Sequence, residues 1–255
     1  MESYPTIGHR VIQLPSVDST NNYAATGIAR QELRHGTAIM AFEQTAGKGQ
    51  RGREWSTSAG LDLAASLVLI PEDFPAVEQF NLAKAAALAV HDVVADAMDK
   101  AGRNPIAVRI KWPNDVLIDR NKVAGILIVN ELHGHRLASA IVGVGINVNS
   151  TGLARELIAT SLIQETRVPH DLRQLLDLLC ARMEHWWTLL VNEPDVVSER
   201  YAERLWARNR FSDFTLDGAE FNARPLGVDE AGRLIVEDET GQVAAYGLER
   251  LRFQR

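Results

Sequence analysis

The chain has 255 residues, 46% of them hydrophobic and 24% charged, with a formal net charge of -6 and a single cysteine, Cys180. No stretch approaches the roughly 20 apolar residues of a membrane span, and the start lacks the basic-then-apolar run of a signal peptide. One cysteine rules out an internal disulfide and suits a reducing compartment, so the cytoplasm is expected.

In chain order, residues 11–15 read as a short strand, 16–20 as a turn with helix-cap chemistry, and 21–33 as a helix weakened by Gly27. Residues 37–44 and 61–70 read as apolar strands on either side of a glycine-punctuated loop, 45–60. Residues 75–100 give the clearest helix, with Phe80, Ala83, Ala87, Val90 and Val94 at helical spacing and Gly102 and Pro105 behind it. Short strands follow at 107–112, 116–118, 123–131 and 137–148, separated by turns. Helix returns over 153–166, 172–191 and 195–209, where Trp186 and Trp187 read as core. From 211 to 255 short strands alternate with Asp-Gly, Ala-Gly and Thr-Gly turns, the pattern of a small β-barrel. Runs of helix beside hairpin-linked strands indicate an α+β protein with a mixed, mostly antiparallel sheet, not a parallel doubly wound one. The domain boundary is placed between residues 1–208 and 209–255.

Three segments carry chemistry. GKGQRGREW, from Gly47 to Trp55, puts three glycines and three cations into one loop, so that backbone N–H groups and the charges of Lys48, Arg51 and Arg53 are offered to phosphates or a carboxylate. It satisfies GxGxxG literally but leads into an apolar strand instead of a helix, and Phe42 and Gly49 break the Walker pattern. The alternative for this loop is a mobile surface segment with solvated charges. KWPND, from Lys111 to Asp115, leaves a strand and turns at once, presenting Lys111, Asn114 and Asp115 from one corner suited to a triphosphate and magnesium. The alternative is a plain turn with a core tryptophan. NKVAGILI, from Asn121, sets Lys122 at the entrance of an apolar strand in which Gly125 permits close approach. GVGIN, from Gly143 to Asn147, opens space on a neighbouring strand, and hairpin packing would account for both segments equally. His133 and His135 flank a probable hairpin tip with no further ligand nearby, so no metal is expected there.

Together, in this order and spacing, these segments resemble the biotin protein ligase family, and VDSTNNYA, beginning at Val17, resembles its Ser-Thr-Asn segment. The motifs cover the chain from about Val11 to Asn147. The resemblance implies a class II synthetase-like sheet with flanking helices and a small C-terminal SH3-like barrel. It implies that biotin and ATP form biotinyl-5′-AMP with magnesium, and that biotin then passes to a lysine of a biotin carboxyl carrier protein. Two other readings stay open, a lipoate protein ligase and a non-catalytic biotin or nucleotide sensor.

Residue by residue, the resemblance has Ser19, Thr20 and Gln44 bonding the biotin head, with Asn21 supporting that end and Gly49, Gln50 and Gly125 also lining the biotin site. Lys48 and Lys122 would face the reacting carboxylate and α-phosphate. Gly47, Arg51 and Arg53 would engage phosphates, and Trp55 the adenine. Lys111, Asn114 and Asp115 would position the triphosphate, Asp115 nearest the magnesium, with Asn147 near the nucleotide. Lys48, Lys111 and Lys122 should therefore converge on one cavity. Many members carry arginine where this chain has Gln50, which implies looser retention of the adenylate. Only 18 residues precede Ser19, too few for the helix-turn-helix module of the repressor forms, so no sequence-specific DNA binding is expected. No membrane partner is expected either, while a homodimer is.

Overall fold

A computed structural model describes residues 6–153 and 158–254. Seven strands form one mixed sheet: β1 (Arg10–Leu14), β2 (Thr37–Ala41), β3 (Leu63–Leu69), β4 (Val108–Lys111), β5 (Asp115–Ile118), β6 (Asn121–His133) and β7 (Arg136–Ile146). Their order is β1-β2-β3-β7-β6-β5-β4. Only β1 and β2 pair in parallel, joined by a crossover through α1 (Thr20–Ala29), as a parallel pair requires. The other neighbours pair antiparallel.

The two faces of the sheet have different partners. On β7, Ala140, Val142, Val144 and Ile146 point into the main core, and Leu63, Ala65, Leu67 and Leu69 do the same on β3. That face is covered by α2 (Gln79–Lys100) and α4 (Leu172–Asn192). Ala85, Ala86, Ala87, Leu88, Ala89 and Val90 are all shut from solvent, so α2 is buried nearly all round between sheet and outer helices, and its alanines let them close on it. Trp186 and Trp187 of α4 are buried as expected, the latter stacked 5.5 Å from Phe74. On the opposite face Ala24 of α1 packs with Ile39, Val68 and Ile141.

The sequence reading needs correction in two helices. Of the helix expected over 153–166, residues 154–157 lie outside the described residues. Ala159 instead bridges to Lys122, and among the described residues of that span the helix is α3 (Leu162–Thr166). The helix expected over 195–209 is α5 (Pro194–Arg204). It stops there because Leu205 turns extended and pairs with Ile110, with Trp206 N–H donating to the Ile110 carbonyl at 2.7 Å.

The tail forms a five-stranded antiparallel sheet from β8 (Ser212–Leu216), β9 (Ala219–Val228), β10 (Leu234–Asp238), β11 (Val243–Tyr246) and β12 (Leu251–Phe253), in the order β11-β10-β9-β8-β12. Asp217 and Gly218, both at positive φ, make the tight β8–β9 turn. Trp112 ties this sheet to the first, its indole N–H donating to the Gly232 carbonyl at 2.9 Å.

Candidate active site

The cleft follows from strand alternation. Gly143 and Gly145 share the β7 face of Ile141, and Gly125 lies opposite Gly145 on β6. Where side chains would stand, the sheet is bare, and this floor is what other elements approach. A Cβ on Gly143 would fall 2.4 Å from the Asn21 Oδ1, and one on Gly145 2.2 Å from the Trp55 ring. These two glycines are therefore required by close approach.

At one wall α1, the segment after β2 and β3 build a hydrogen-bonded rack. The Gln44 Oε1 accepts from the Thr20 N–H at 2.9 Å and from its hydroxyl at 3.1 Å. The Ser66 hydroxyl donates to the Asn21 Oδ1 at 2.6 Å, and the Asn21 amide donates to the Leu127 carbonyl at 3.1 Å. Ser19, Thr20 and Asn21 are all buried, so their polar atoms are held in fixed positions.

The cations come from two elements. Lys48, on the glycine loop, donates to the Asn22 Oδ1 at 3.0 Å. Asn22 in turn donates to Asp18, and that bond, with Lys48 nearby, holds the Asp18 carboxyl below its ordinary range. Lys122 reaches in from the start of β6, 2.6 Å from Asp115 and 5.2 Å from the centre of the Trp55 ring. The loop closes on itself as a small hairpin, with Trp55 N–H bonded to the Gly47 carbonyl and Gly49 N–H to the Arg53 carbonyl. A Cβ on Gly47 would lie 2.3 Å from the Trp55 carbonyl oxygen, so that glycine lets the two arms touch. The free volume left inside the cleft is about 50 Å³, with Trp55 one of its lining residues. The indole N–H is buried without an acceptor, a donor suited to an anionic ligand.

Of the residues expected at the site, Ser19, Thr20, Asn21, Gln44, Lys48, Gly49, Gln50, Trp55, Asn114, Lys122 and Gly125 line this one cleft. Asp115 borders it through Lys122, and Asn147 is buried behind it, donating to the Thr160 carbonyl at 3.0 Å. Arg51 and Arg53 are exposed on the loop. Lys111 does not line the cleft. Its ammonium stands 5.4 Å from the ring centres of both Trp206, in the segment after α5 that bonds to Ile110, and Phe253 of β12, which pack edge to face against each other. Two of the three lysines converge, not three. Asn22 and Ser66 escaped the sequence reading. Asn22 carried a usable signal, standing one helical turn from Asp18, whereas Ser66 sits in an apolar strand and becomes visible only when β3 meets α1.

The mixed sheet thus carries a glycine-floored cleft with a hydrogen-bonded polar rack and two ammonium groups in its lining, a setting suited to anionic ligands. Residues 14–147 match the Biotin/lipoate A/B protein ligase family. The chain is 34% identical to a biotin--[acetyl-CoA-carboxylase] ligase of Paracoccus denitrificans, over 90% of this chain and 95% of that one. It is also 34% identical to the bifunctional ligase/repressor BirA of Bacillus subtilis, over 94% of this chain and 73% of the relative. A biotin protein ligase from Aquifex aeolicus, solved in complex with biotin and ATP, shares the fold with a TM-score of 0.78 at 24% identity, covering 96% of this chain and 99% of that one. The chain belongs to the biotin/lipoate A/B protein ligase family.

Proposed function

We propose that this protein joins biotin to ATP with release of pyrophosphate, then transfers the biotinyl group to a lysine of a carboxylase carrier protein. The observation that carries this reading is the meeting of Lys48 and Lys122, from two separate elements, in one glycine-floored cleft that also holds the Ser19–Thr20–Gln44 rack.

Each step has a physical reason in these residues. A biotin carboxylate oxygen attacks the α-phosphorus, and the bond to pyrophosphate breaks as the new O–P bond forms. Both reactants are anions, so two fixed ammonium groups offset their repulsion and stabilise charge on the phosphorus oxygens. Holding the pair in register contributes on the order of 7 to 11 kcal/mol in comparable intramolecular reactions. The carrier amine then attacks the acyl carbon, losing its proton as the amide forms and AMP leaves. The rack would hold the uncharged head of biotin by hydrogen bonds. The cleft must widen for both ligands, since sites for such molecules span roughly 300 to 1,000 Å³, and withdrawal of the Trp55 ring from the floor would supply the space.

Magnesium fits as an ion carried in with the nucleotide. Asp115 offers one carboxylate, and no cluster of three or more His, Cys, Asp or Glu able to hold a metal occurs among the described residues. Such a donor set suits an ion held largely by phosphate oxygens and water. When bound, it would neutralise charge on the triphosphate. Lys111 is read as a support for the Asn114–Asp115 corner, and the tail as an SH3-like accessory unit, residues 209–255, beside the catalytic unit, 1–208.

The test is exchange of labelled pyrophosphate into ATP. Exchange should require biotin and fall by about 10²–10³-fold in Lys122→Ala. Exchange driven by lipoate would replace biotin by lipoate, and a protein that binds biotin without any exchange would be a sensor.

A further inference from the structure

Asp62 is buried to 2% exposure between the glycine loop and β3, and no described ion pair includes it. Three hydrogen bonds surround its carboxylate. One oxygen, Oδ1, accepts from the Val148 N–H and the Ser150 hydroxyl, both at 2.8 Å. The other, Oδ2, accepts from the Ser58 N–H at 3.0 Å. Val148 and Ser150 follow, with Asn147, just after the strand that carries Gly143 and Gly145, while Ser58 lies near the end of the loop that carries Lys48 and Trp55. A carboxylate is costly to bury unless such donors surround it. Here all three lie at the junction of the cleft floor and its loop wall.

Main-chain hydrogen bonds hold both ends of that loop, and the far end has a side-chain link as well. At its start, Thr45 and Ala46 N–H groups bond to the Val17 and Asp18 carbonyls, main chain to main chain. At its end, Gly60 N–H bonds to the Phe42 carbonyl and Asn149 N–H to the Leu61 carbonyl, and Asp62 adds a side-chain link from Ser58 to the segment that follows β7.

We infer that Asp62 is a positioning residue, the side-chain anchor that ties Ser58 at the far end of the Lys48–Trp55 loop to the segment leaving β7 beneath the cleft and so keeps the loop closed over the activated intermediate. This rests on the adenylate-forming reading given above. Its loss would let water reach the acyl carbon, regenerating biotin and AMP before the carrier arrives.

Asp62→Asn separates the two sides of the contact. The amide oxygen can keep the Val148 and Ser150 donors, while the amide nitrogen faces the Ser58 N–H, donor against donor, so the loop side alone is cut. Two readouts follow. Trypsin cleavage after Lys48, Arg51 and Arg53 in the folded protein should accelerate by roughly tenfold, the scale set by one hydrogen bond to a charged group. The lifetime of biotinyl-adenylate held by the enzyme without carrier should shorten by a similar factor, while biotin affinity stays within about twofold. Ser150→Ala, which removes a donor from the strand side, serves as the comparison and should leave loop cleavage near that of the unaltered protein. Unchanged cleavage in Asp62→Asn, equal acceleration in Ser150→Ala, or faster cleavage with an unaltered adenylate lifetime would each overturn the anchor role. An unaltered protein that makes no adenylate would instead defeat the functional reading, and the trypsin comparison would still decide whether Asp62 holds the loop.

Discussion

Lys122 and Asp115 meet ammonium to carboxylate at 2.6 Å, across the junction of β5 and β6. The pair is about a quarter to a third exposed, at 32% and 26%, so solvent weakens its contribution to stability. Its consequence is positional, because Asp115 aims Lys122 along the cleft wall. Lys122→Ala should therefore lower biotin-dependent pyrophosphate exchange by about 10²–10³-fold, as removal of one preorganised charge does elsewhere, with little change in melting temperature. Asp115→Asn should act differently, keeping the cation but raising the magnesium–ATP concentration needed for half-maximal exchange.

The floor glycines predict two distinct lesions. In Gly145→Ala the new methyl meets the Trp55 ring, which lies on a loop and can swing away. The fold should survive, while kcat/KM for ATP falls by about tenfold or more, because a displaced wall misaligns the reactants. In Gly143→Ala the methyl meets Asn21, which is buried and tied to Ser66 and Leu127. That variant should lose about 1–3 kcal/mol of stability and bind biotin more weakly, measurable by chemical denaturation and calorimetry.

The sheet and its cleft were largely readable because alternation and glycine placement are local signals. β3, β6 and β7 fall where apolar runs end in turn residues, and Gly125, Gly143 and Gly145 mark the floor in the sequence itself. Lys111 was misplaced for the opposite reason. Its neighbours in KWPND give no sign that Trp206 and Phe253, more than 90 residues away in the chain, will stand beside it. The false end of the 195–209 helix has the same origin, since Leu205 leaves the helix to pair with Ile110. Asp62 was invisible as an anchor because its three donors come from both sides of the cleft.

Gln50 lines the cleft from the glycine loop, next to Arg51 at φ 56°. An amide there offers a neutral hydrogen bond, where a guanidinium would offer charged ones. Charged bonds to phosphate are roughly twice as strong. Gln50→Arg should accordingly slow release of biotinyl-adenylate by roughly tenfold, on the scale of a charge-assisted bond. An unchanged release rate, followed by trapping the free adenylate, would show that retention depends on other residues.

His35 supplies a pH dependence unconnected with catalysis. The ring is buried at 6% exposure, accepts the Ile70 N–H on Nδ1 at 3.0 Å, and lies 6.0 Å from the Trp187 ring centre. Burial holds its pKa below the ordinary histidine value; Glu184 pulls the other way, and His9 reinforces the depression. The folded protein therefore binds this proton less readily than the unfolded chain does. Its contribution to stability is complete above the unfolded value, near 6.5, and drains away as pH falls through 6.5 toward the folded value. His170, also lowered by burial, adds in the same direction. The melting temperature should fall between pH 7.5 and 5.5, and His35→Gln, which keeps an acceptor for Ile70 without a titrating ring, should fall less steeply. Parallel curves for the two proteins would place the acid sensitivity elsewhere.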